Sequence, residues 1–403
     1  MEKTTCCIVG GGPAGMVAGL LLARQGVDVV VLEKHADFLR DFRGDTIHPS
    51  TMELLNELGW IDEFLGLPHR KMAQVTIEMA GVTITFADFS RLKVCCPYVA
   101  FMPQWDFLDF LADKALAYKG FRLMMNAEAT DLLWDGGTVV GVWAQTPQGR
   151  LEVRAQLVIG ADGRQSMVRR GAALEVVNYT TPMDVLWFRL PRRPDEQLPF
   201  FRPGRGHVAV CIDRGEYWQF AYVIPNQQFG AVKAAGLETL RSNVAEMFPQ
   251  LADRVAVLQT WEDIRLLSVS VDRLRRWHRP GLLCIGDAAH AMSPAGGVGI
   301  NLAVQDAVAA ANILGSTLRC GDRPEMAELD RVQRRREFPA RVTQLVQVRA
   351  LRGLYPKDVR DDRSQRLPLP FRLFRWFPVL RFFTGRFIGL GVRPEHIAAA
   401  TRG

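Results

Sequence analysis

The sequence predicts an α/β protein with a Rossmann-like nucleotide-binding domain, an inserted antiparallel β-sheet domain and a C-terminal helical segment. Three observations support this fold class. The chain opens with a βαβ unit, two later apolar strands end in turns that contain glycine and aspartate, and the middle region is rich in β-branched and aromatic residues. A length of 403 residues allows one large or two interleaved domains.

The βαβ unit occupies the first part of the chain. Residues 4–9 are a short apolar run, Gly10 begins a glycine-rich turn, and residues 14–24 are rich in alanine and leucine. This order predicts a strand, a tight turn and a helix. Residues 27–32 predict the second strand, which ends at Glu33.

The glycines of this turn have the spacing of a dinucleotide fingerprint. Gly10 permits the tight turn, Gly12 lets the backbone approach a pyrophosphate, and Gly15 lets the helix pack closely on the strand. The helix start offers free N–H groups and partial positive charge to phosphates. Glu33, 18 residues beyond Gly15, can accept hydrogen bonds from a ribose diol.

The rest of the chain continues both patterns. Residues 51–58 and 107–118 have helical periodicity, residues 157–160 and 282–285 are buried-strand runs, and residues 301–318 predict a buried helix. In contrast, residues 72–86 and 176–265 alternate strand-like runs with turn signals. We therefore expect an antiparallel sheet inserted into the nucleotide-binding domain.

A second glycine-rich segment returns late in the chain, from Gly286-Asp287 to Gly299-Ile300-Asn301. An aspartate at the carboxyl end of a strand can bind a ligand hydroxyl, and a glycine-rich helix start can stabilise negative charge. The first fingerprint alone fits NAD, NADP or FAD. Two such segments predict a ligand long enough to need both, and FAD is that ligand.

An intermediate segment, Asp162-Gly163, follows the strand at 157–160. Alone it is ordinary turn chemistry. Together, the three ordered motifs resemble those of the class A aromatic-hydroxylase family of FAD-dependent monooxygenases, which includes para-hydroxybenzoate hydroxylase. The resemblance covers roughly residues 4–350 and implies an FAD-binding domain of the GR2/para-hydroxybenzoate hydroxylase type with a β-sheet substrate domain.

The family chemistry implied by this resemblance is a monooxygenation. FAD is reduced by transiently bound NADPH or NADH, dioxygen is captured as a flavin hydroperoxide, and one oxygen atom passes to an aromatic or polycyclic small molecule. The cofactor carries the difficult step. We therefore name no catalytic side chain.

The resemblance also implies a set of cofactor-binding positions. They are Gly10, Gly12, Pro13, Ala14, Gly15, Glu33, Lys34, Arg43, Gln104, Asp162, Gly286, Asp287, Pro294, Gly297, Gly299, Ile300 and Asn301. Arg43 would contact the cofactor, Gln104 the ribityl chain and Asp287 the ribityl hydroxyls. Asp162 would support flavin and nicotinamide binding, and Pro294 would lie beside substrate and flavin.

The N–H groups of residues 299–301 would face the N1 and C2 carbonyl edge of the flavin. Because reduced flavin is an anion, a helix N-terminus there would favour it by about 0.3–2 kcal/mol.

Several side chains have two interpretations. His290 is expected to be a structural, hydrogen-bonded histidine, whereas His48 either lines the pocket or is structural. Trp218, Phe220 and Tyr222 share one strand face, which forms either an aromatic pocket wall or core.

We predict three structural units. The FAD-binding domain comprises residues 1–70, 103–170 and 270–350; the substrate domain comprises 71–102 and 171–269; and 351–403 form a basic, aromatic helical extension.

The net charge of +7 is distributed unevenly. From Arg331 onward there are 17 basic and 5 acidic residues, a balance of +12, so the preceding residues carry −5. No nucleic-acid recognition motif accompanies the basic residues, and we expect no nucleic-acid partner. Residues 367–391 combine aromatics with arginines, which predicts packing over the FAD domain or, alternatively, peripheral membrane contact.

No secretory signal or long apolar span is evident, and we expect a cytoplasmic protein. The seven cysteines lack zinc spacing and are expected to be buried, reduced thiols.

Two alternative functions remain open. One is an FAD-dependent reductase or oxidase acting on a hydrophobic prenyl or polyketide substrate. The other is a non-catalytic FAD-binding protein.

Overall fold

The computed structural model describes residues 1–39, 46–79, 82–179, 183–204, 207–354 and 369–398. Its strands are β1 (Glu2–Val9), β2 (Val29–Leu32), β3 (Thr46–Ile47), β4 (Arg70–Met72), β5 (Gln74–Met79), β6 (Val82–Asp88), β7 (Val99–Phe101), β8 (Phe121–Met124), β9 (Glu128–Asp135), β10 (Thr138–Thr146), β11 (Gly149–Gly160), β12 (Val176–Tyr179), β13 (Met183–Pro191), β14 (Phe201–Pro203), β15 (Val208–Asp213), β16 (Tyr217–Pro225), β17 (Arg265–Leu267), β18 (Val271–Leu274), β19 (His278–Arg279) and β20 (Leu282–Cys284).

Its α-helices are α1 (Pro13–Arg24), α2 (Pro49–Glu57), α3 (Ile61–Leu65), α4 (Gln104–Leu116), α5 (Met167–Gly171), α6 (Phe229–Ala235), α7 (Leu237–Met247), α8 (Gly299–Arg319), α9 (Met326–Leu354), α10 (Leu369–Trp376) and α11 (Leu380–Leu390).

The first sheet has the strand order β19-β20-β11-β1-β2-β8, and β9 and β10 extend it beside β11. The five strands β20, β11, β1, β2 and β8 are parallel, with Val9 level with Gly160 and Leu32, and Gly160 level with Cys284. Helix α1 packs against α8 and α4. This arrangement confirms the predicted Rossmann-like fold and aligns the carboxyl ends of its strands.

Helix α8 is the central helix of this layer, and all of residues 300–311 are buried. The segment Ala295–Arg319 is apolar and long enough to cross a membrane, but 72% of its most apolar window is buried inside the molecule. This degree of burial is typical of a core helix.

The second sheet has the order β17-β13-β16-β15-β14-β5-β6. Its pairings are antiparallel, as predicted, except that β14 pairs with β5 in parallel through Phe201 and Ile77. Two helices, α6 and α7, also lie in the region expected to be sheet. Helix α7 buries Leu240, Val244 and Met247, which recur at helical spacing and cover one face of the sheet.

The two faces of this sheet differ. Trp218, Phe220 and Tyr222 point toward α7 and belong to a core cluster there. They are therefore core residues, and Tyr222 also lines a cavity of about 430 Å³ between this face and helices α6 and α7. The opposite face contributes a cluster of smaller side chains, with Ala295 of the first domain packed against it. Its buried members are Met183, Val185, Val208, Ala221, Val223 and Val269.

At the C-terminal end, α11 lies against β6. A Cβ at Gly385 would come 2.1 Å from the Asp88 carbonyl oxygen, so only glycine permits this approach of α11 to β6.

The boundaries proposed for the three structural units stay a prediction. All seven cysteines are free, but Cys95 and Cys320 are exposed, which corrects the expectation that all are buried.

Candidate functional site

The parallel sheet brings four predicted site residues to one edge. Gly10 follows β1, Glu33 follows β2, Asp162 lies just beyond β11 and Asp287 lies just beyond β20. These strands are adjacent in the order β20-β11-β1-β2. In open α/β sheets, ligands bind in the crevice outside the carboxyl ends of the strands, so this edge is the candidate site.

The first glycine turn is shaped by close backbone contacts. Gly10 has φ +106°, and a Cβ on it would lie 2.4 Å from the Ala161 carbonyl oxygen. A Cβ on Gly15 would lie 1.9 Å from the carbonyl oxygen of Gly10. No atom lies within 4 Å of a Cβ built on Gly12 among the described residues. The turn is therefore tight at its two ends and open in the middle.

Helix α1 begins directly after this opening. Pro13 occupies its first turn, and Met16 donates a backbone hydrogen bond to the Gly12 carbonyl at 2.9 Å. The first N–H groups of a helix have no acceptor within the helix. Those of Ala14 and Gly15 therefore border the open space at Gly12, as anion binding requires.

Glu33 fixes the turn through its carboxylate. Oε2 accepts a hydrogen bond from the Gly11 N–H at 2.9 Å, and Oε1 accepts one from the His35 N–H at 3.1 Å. The side chain is buried, and the neighbouring Lys34 is exposed. This bracing of Gly11 is a role that the sequence pattern did not reveal.

Of two further predicted contact residues, the structure describes one. Arg43 lies outside the described residues. Gln104 is the first residue of α4 and is half-buried, and α4 packs against α1.

Asp162 offers an unused acceptor. Its Oδ2 accepts a hydrogen bond from the Val168 N–H at 3.1 Å, whereas Oδ1 is buried and has no hydrogen-bond partner among the described residues. Burial raises the pKa of this carboxyl above its usual value. The adjacent Gly163 has φ +77° and open space around its Cβ position. A ligand hydroxyl or N–H group would satisfy Oδ1.

Asp287 is linked to the intermediate motif by Arg164. The Arg164 Nε donates to Asp287 Oδ2 at 3.2 Å, and its Nη2 donates to the Met292 carbonyl at 3.2 Å. Asp287 remains one-third exposed. No role for Arg164 is predicted from the sequence, because its partner lies 123 residues away.

The backbone at Gly286 is held by a buried ionic network. Asp306 Oδ2 accepts hydrogen bonds from the Gly286 N–H at 3.0 Å and from His290 Nε2 at 2.6 Å. Asp306 Oδ1 accepts one from Arg336 Nε at 3.0 Å. Burial alone would raise the pKa of the Asp306 carboxyl, but its interactions with the His290 ring and the Arg336 guanidinium hold that pKa below its usual value. His290 is thus placed as a structural histidine.

The same network reaches the C-terminal segment. Arg336 Nη1 donates to Glu395 Oε1 and to the Arg393 carbonyl, both at 3.1 Å. Both Arg336 and Glu395 are buried. Residues far beyond the glycine motif therefore help to position it.

The start of α8 is braced from α2. Asn301 Oδ1 accepts hydrogen bonds from Ser50 Oγ at 2.5 Å and from Thr51 Oγ1 at 3.1 Å. Leu302 donates to the Val298 carbonyl at 3.0 Å, so the N–H groups of residues 299–301 precede the first bond within the helix. These three groups are available to an anionic or carbonyl ligand edge.

The loop before α8 is also tightly constrained. Gly297 has φ +63°, and a Cβ there would lie 2.4 Å from Thr46 Oγ1, whose hydroxyl donates to the Gly297 carbonyl at 3.0 Å. Pro294 is half-buried at the beginning of this loop.

His48 precedes α2 and is buried. Its Nδ1 lies 2.8 Å from the Ile388 carbonyl, which can only accept, so Nδ1 carries the proton. Nε2 has no hydrogen-bond partner among the described residues. Burial lowers the pKa of His48 to about 4, and the imidazole is neutral at pH 7.

These features fit FAD. The open turn before α1 suits a pyrophosphate, the orphaned Oδ1 of Asp162 suits a hydrogen-bond donor, and the free N–H groups of α8 suit an electron-rich ring edge. Strands β2 and β20 are three strand spacings apart, roughly 14 Å at about 4.8 Å each, which is longer than a single phosphate and suits an extended dinucleotide.

The similarities to known proteins agree with this geometry. A model of the family described as FAD binding domain matches residues 3–346. A 6-methylpretetramide 4-monooxygenase of Streptomyces rimosus is 34% identical over 335 residues, which are 83% of this chain and 80% of that protein. A digeranylgeranylglycerophospholipid reductase of Methanocella arvoryzae is 26% identical over 329 residues, or 78% of each protein.

Among solved structures, the OxyS anhydrotetracycline hydroxylase from Streptomyces rimosus has a TM-score of 0.76 at 23% identity. The alignment covers 98% of this chain and 77% of that one, and it shows the shared fold. The predicted resemblance is confirmed: the chain belongs to the FAD binding domain family, and it is an FAD-dependent enzyme of the aromatic monooxygenase group.

Proposed function

We propose that this enzyme is an NAD(P)H-dependent flavin monooxygenase. It inserts one oxygen atom from dioxygen into an aromatic or polycyclic small molecule through a flavin hydroperoxide. The observation that carries the proposal is the alignment of the glycine turn, Glu33, Asp162 and Asp287 along four neighbouring strand ends, in a chain related to a 6-methylpretetramide 4-monooxygenase.

The two ends of this sheet edge bind different parts of FAD. The turn from Gly10 to Gly15 and Glu33 bind the adenosine pyrophosphate end. Asp287 and the start of α8 bind the ribityl chain and the flavin ring. The N–H groups at α8 favour the anionic charge that the ring acquires on reduction.

The substrate lies, in this proposal, between the loop before α8 and the second sheet. The sheet face that meets Ala295 is apolar. Its buried side chains include Val185, Val208, Ala221 and Val223, and Trp187 and Phe201 pack against them. Because Ala295 directly follows Pro294, this face borders the predicted flavin position. A flat, apolar, polycyclic compound suits such a wall better than a strongly charged one.

Oxygen incorporation is the decisive test. FAD-loaded protein is incubated with NADPH or NADH under ¹⁸O-labelled dioxygen, with phenols, polyketides and quinone precursors as substrates. We expect substrate-stimulated oxidation of the nicotinamide and a product that has gained one labelled oxygen. Substrate reduction without labelled oxygen, at equal rates with and without air, would contradict the monooxygenase.

A matched pair of variants tests the cofactor placement. Asp287→Ala should purify with less FAD, because the carboxylate is proposed to bind the ribityl hydroxyls. Asp322→Ala is the control, since Asp322 is exposed beyond the end of α8. Equal flavin content per protein in the two variants, measured by absorbance, would refute this role.

A second candidate function is an FAD-dependent reductase or oxidase of a hydrophobic substrate. The similarity to a digeranylgeranylglycerophospholipid reductase favours it specifically. Anaerobic turnover of a prenyl substrate would support the reductase. Absence of any substrate-stimulated nicotinamide oxidation would instead support a non-catalytic FAD-binding protein.

A further inference from the structure

The C-terminal hairpin, which we define as α10 and α11 with their connection (residues 369–390), exposes an unusual set of apolar side chains. Five large hydrophobic residues within eleven positions are more than one-third exposed. They are Leu373, Trp376, Phe377, Val379 and Phe383, and Phe383 is 67% exposed. Single exposed hydrophobic residues are ordinary, whereas a local concentration marks an interaction surface.

The charge of this surface has one sign. Arg372, Arg375 and Arg386 are exposed on the hairpin, and the sequence holds no aspartate or glutamate from residue 363 to residue 394. The Arg372 guanidinium lies 4.8 Å from the centroid of the Trp376 ring, which keeps a positive charge beside the exposed aromatic.

The hairpin is anchored on its other side. Gly389 lies so close to Phe89 that a Cβ would come 3.1 Å from the ring, and Phe374 packs on Phe86 with ring centroids 5.0 Å apart. Arg381 forms an ion pair with Asp88 at 3.6 Å. These contacts hold one face of the hairpin on β6 and leave the aromatic residues of its tip facing outward.

We propose that the tip of the C-terminal hairpin docks on an anionic lipid surface. Trp376, Phe377 and Phe383 enter the interfacial region, where aromatic side chains are favoured, and the exposed arginines bind lipid phosphates. An aromatic face combined with arginines is the composition of interfacial helices.

A second copy of the chain suits this surface less well. In a two-fold symmetric interface the same patch faces itself. The exposed arginines would then oppose each other with no acidic residue of the hairpin between them, which is unfavourable. An anionic bilayer provides the opposite charge for every arginine at once.

The C-terminal hairpin lies next to the region where we place the substrate. Ile388 of α11 packs with a cluster that contains Phe101 of β7 and Ile212 of the second sheet, and also with Val298 and Leu302 at the start of α8. The docked face would therefore lie beside the junction where we place the substrate, so that an apolar compound could enter from the lipid. This consequence depends on the proposed function, whereas the docking itself does not.

Vesicle sedimentation tests the docking with the FAD-loaded protein. Vesicles of phosphatidylcholine alone are compared with vesicles that also contain phosphatidylglycerol. We expect binding to the anionic vesicles, weaker binding to the neutral ones, and release as salt is raised. Failure to bind either vesicle would overturn the proposal, whether or not the enzyme hydroxylates an aromatic compound.

Two sets of variants assign the binding to the hairpin. The triple variant Trp376→Ser, Phe377→Ser, Phe383→Ser should lose binding, whereas Trp134→Ser, which changes an exposed tryptophan on β9, should keep it. Neutralising Arg372 or Arg375 with glutamine should weaken binding by about fivefold each. FAD content verifies that each variant is folded.

Two outcomes would give the surface another role. Equal vesicle binding by the wild type and the triple serine variant would move the lipid site elsewhere. A concentration-dependent dimer in sedimentation velocity, lost in the triple variant and accompanied by no vesicle binding, would assign the patch to a second copy of the chain.

Discussion

The two glycine-rich segments reach the same edge of the parallel sheet but are held there by different means. The first turn is fixed mainly by backbone contacts, because Gly10 and Gly15 touch carbonyl oxygens that no side chain could approach. The second segment, from Gly286 to Asn301, is held by buried side chains that come from α2, α9 and the C-terminal end. One half of the site is local, and the other depends on the whole molecule.

This difference explains why the two halves tolerate change differently. A backbone-held turn fails when a side-chain atom is added. A side-chain-held segment fails when a distant partner is removed, even though the glycine motif itself is intact.

Removal of Arg336 should be the most damaging change to the second segment. Arg336→Met leaves the buried carboxylates of Asp306 and Glu395 without their shared cation, and such losses cost about 3–5 kcal/mol. The control is Arg334→Met on the same helix, because Arg334 is exposed and its ion pair with Asp330 is worth less than about 1 kcal/mol. Urea unfolding of both apoproteins gives the two free energies.

Flavin content should fall with the stability of the Arg336 variant, since Asp306 also holds the Gly286 N–H. Similar unfolding midpoints for Arg336→Met and Arg334→Met would show that the network does not support the segment.

Acid should lower the stability of the folded protein through His48, which directly precedes α2. The pKa of His48 is about 4 in the folded protein and 6.5 for an unperturbed histidine, so the unfolded chain binds the additional proton. This contribution is fully present above pH 6.5, decreases as the pH falls toward 4, and then levels off. A lowering of this size corresponds to about 3 kcal/mol.

His48→Gln should remove this dependence. His207 and His278, whose pKa values burial also lowers, titrate in both proteins, so the difference between the two stability curves isolates His48. A wild-type-minus-variant difference that stays constant between pH 4 and 6.5 would contradict a neutral, buried His48.

The sequence predicted most of what is local and little of what is long-range. The βαβ unit, the strands before Asp162 and Asp287 and the long buried helix follow from periodicity and glycine spacing. The ion pair of Arg164 with Asp287 and the bond from Ser50 to Asn301 join positions more than 120 residues apart, which no local pattern reveals.

The inserted sheet shows another limit of local reasoning. Period-two alternation placed Trp218 and Phe220 on one face but could not say which face meets the flavin side. Helix α7 decides that question by covering the aromatic face. Its own signal, Leu240, Val244 and Met247 at helical spacing, was present in the sequence, inside the range 176–265 that was assigned to sheet as a whole.

In the first segment, Gly15→Ala should destabilise the apoprotein by about 1–3 kcal/mol, since the new methyl group meets the Gly10 carbonyl at 1.9 Å. Gly230→Ala on α6 is the control, because no described atom lies within 4 Å of that Cβ and alanine is the better helix former. In thermal unfolding, the midpoint temperature of the Gly15→Ala protein should be lower than that of the wild type. The midpoint of the Gly230→Ala protein should be unchanged or higher. Equal midpoints would show that the turn can relax around a side chain.

The smallest effect on stability is expected at Gly12, and it is the most informative about function. Gly12 has φ −74°, which alanine adopts readily, and its Cβ would meet no described atom within 4 Å, so Gly12→Ala should change the free energy of unfolding by less than about 0.5 kcal/mol. The methyl group would nevertheless occupy the space where the pyrophosphate is proposed to lie. Displacing one or two phosphate hydrogen bonds of about 1 kcal/mol each should weaken FAD binding about tenfold. Titration of the apoprotein with FAD, followed by flavin fluorescence, measures this change, and wild-type affinity in a stable Gly12→Ala protein would mean that the open middle of the turn does not receive the pyrophosphate.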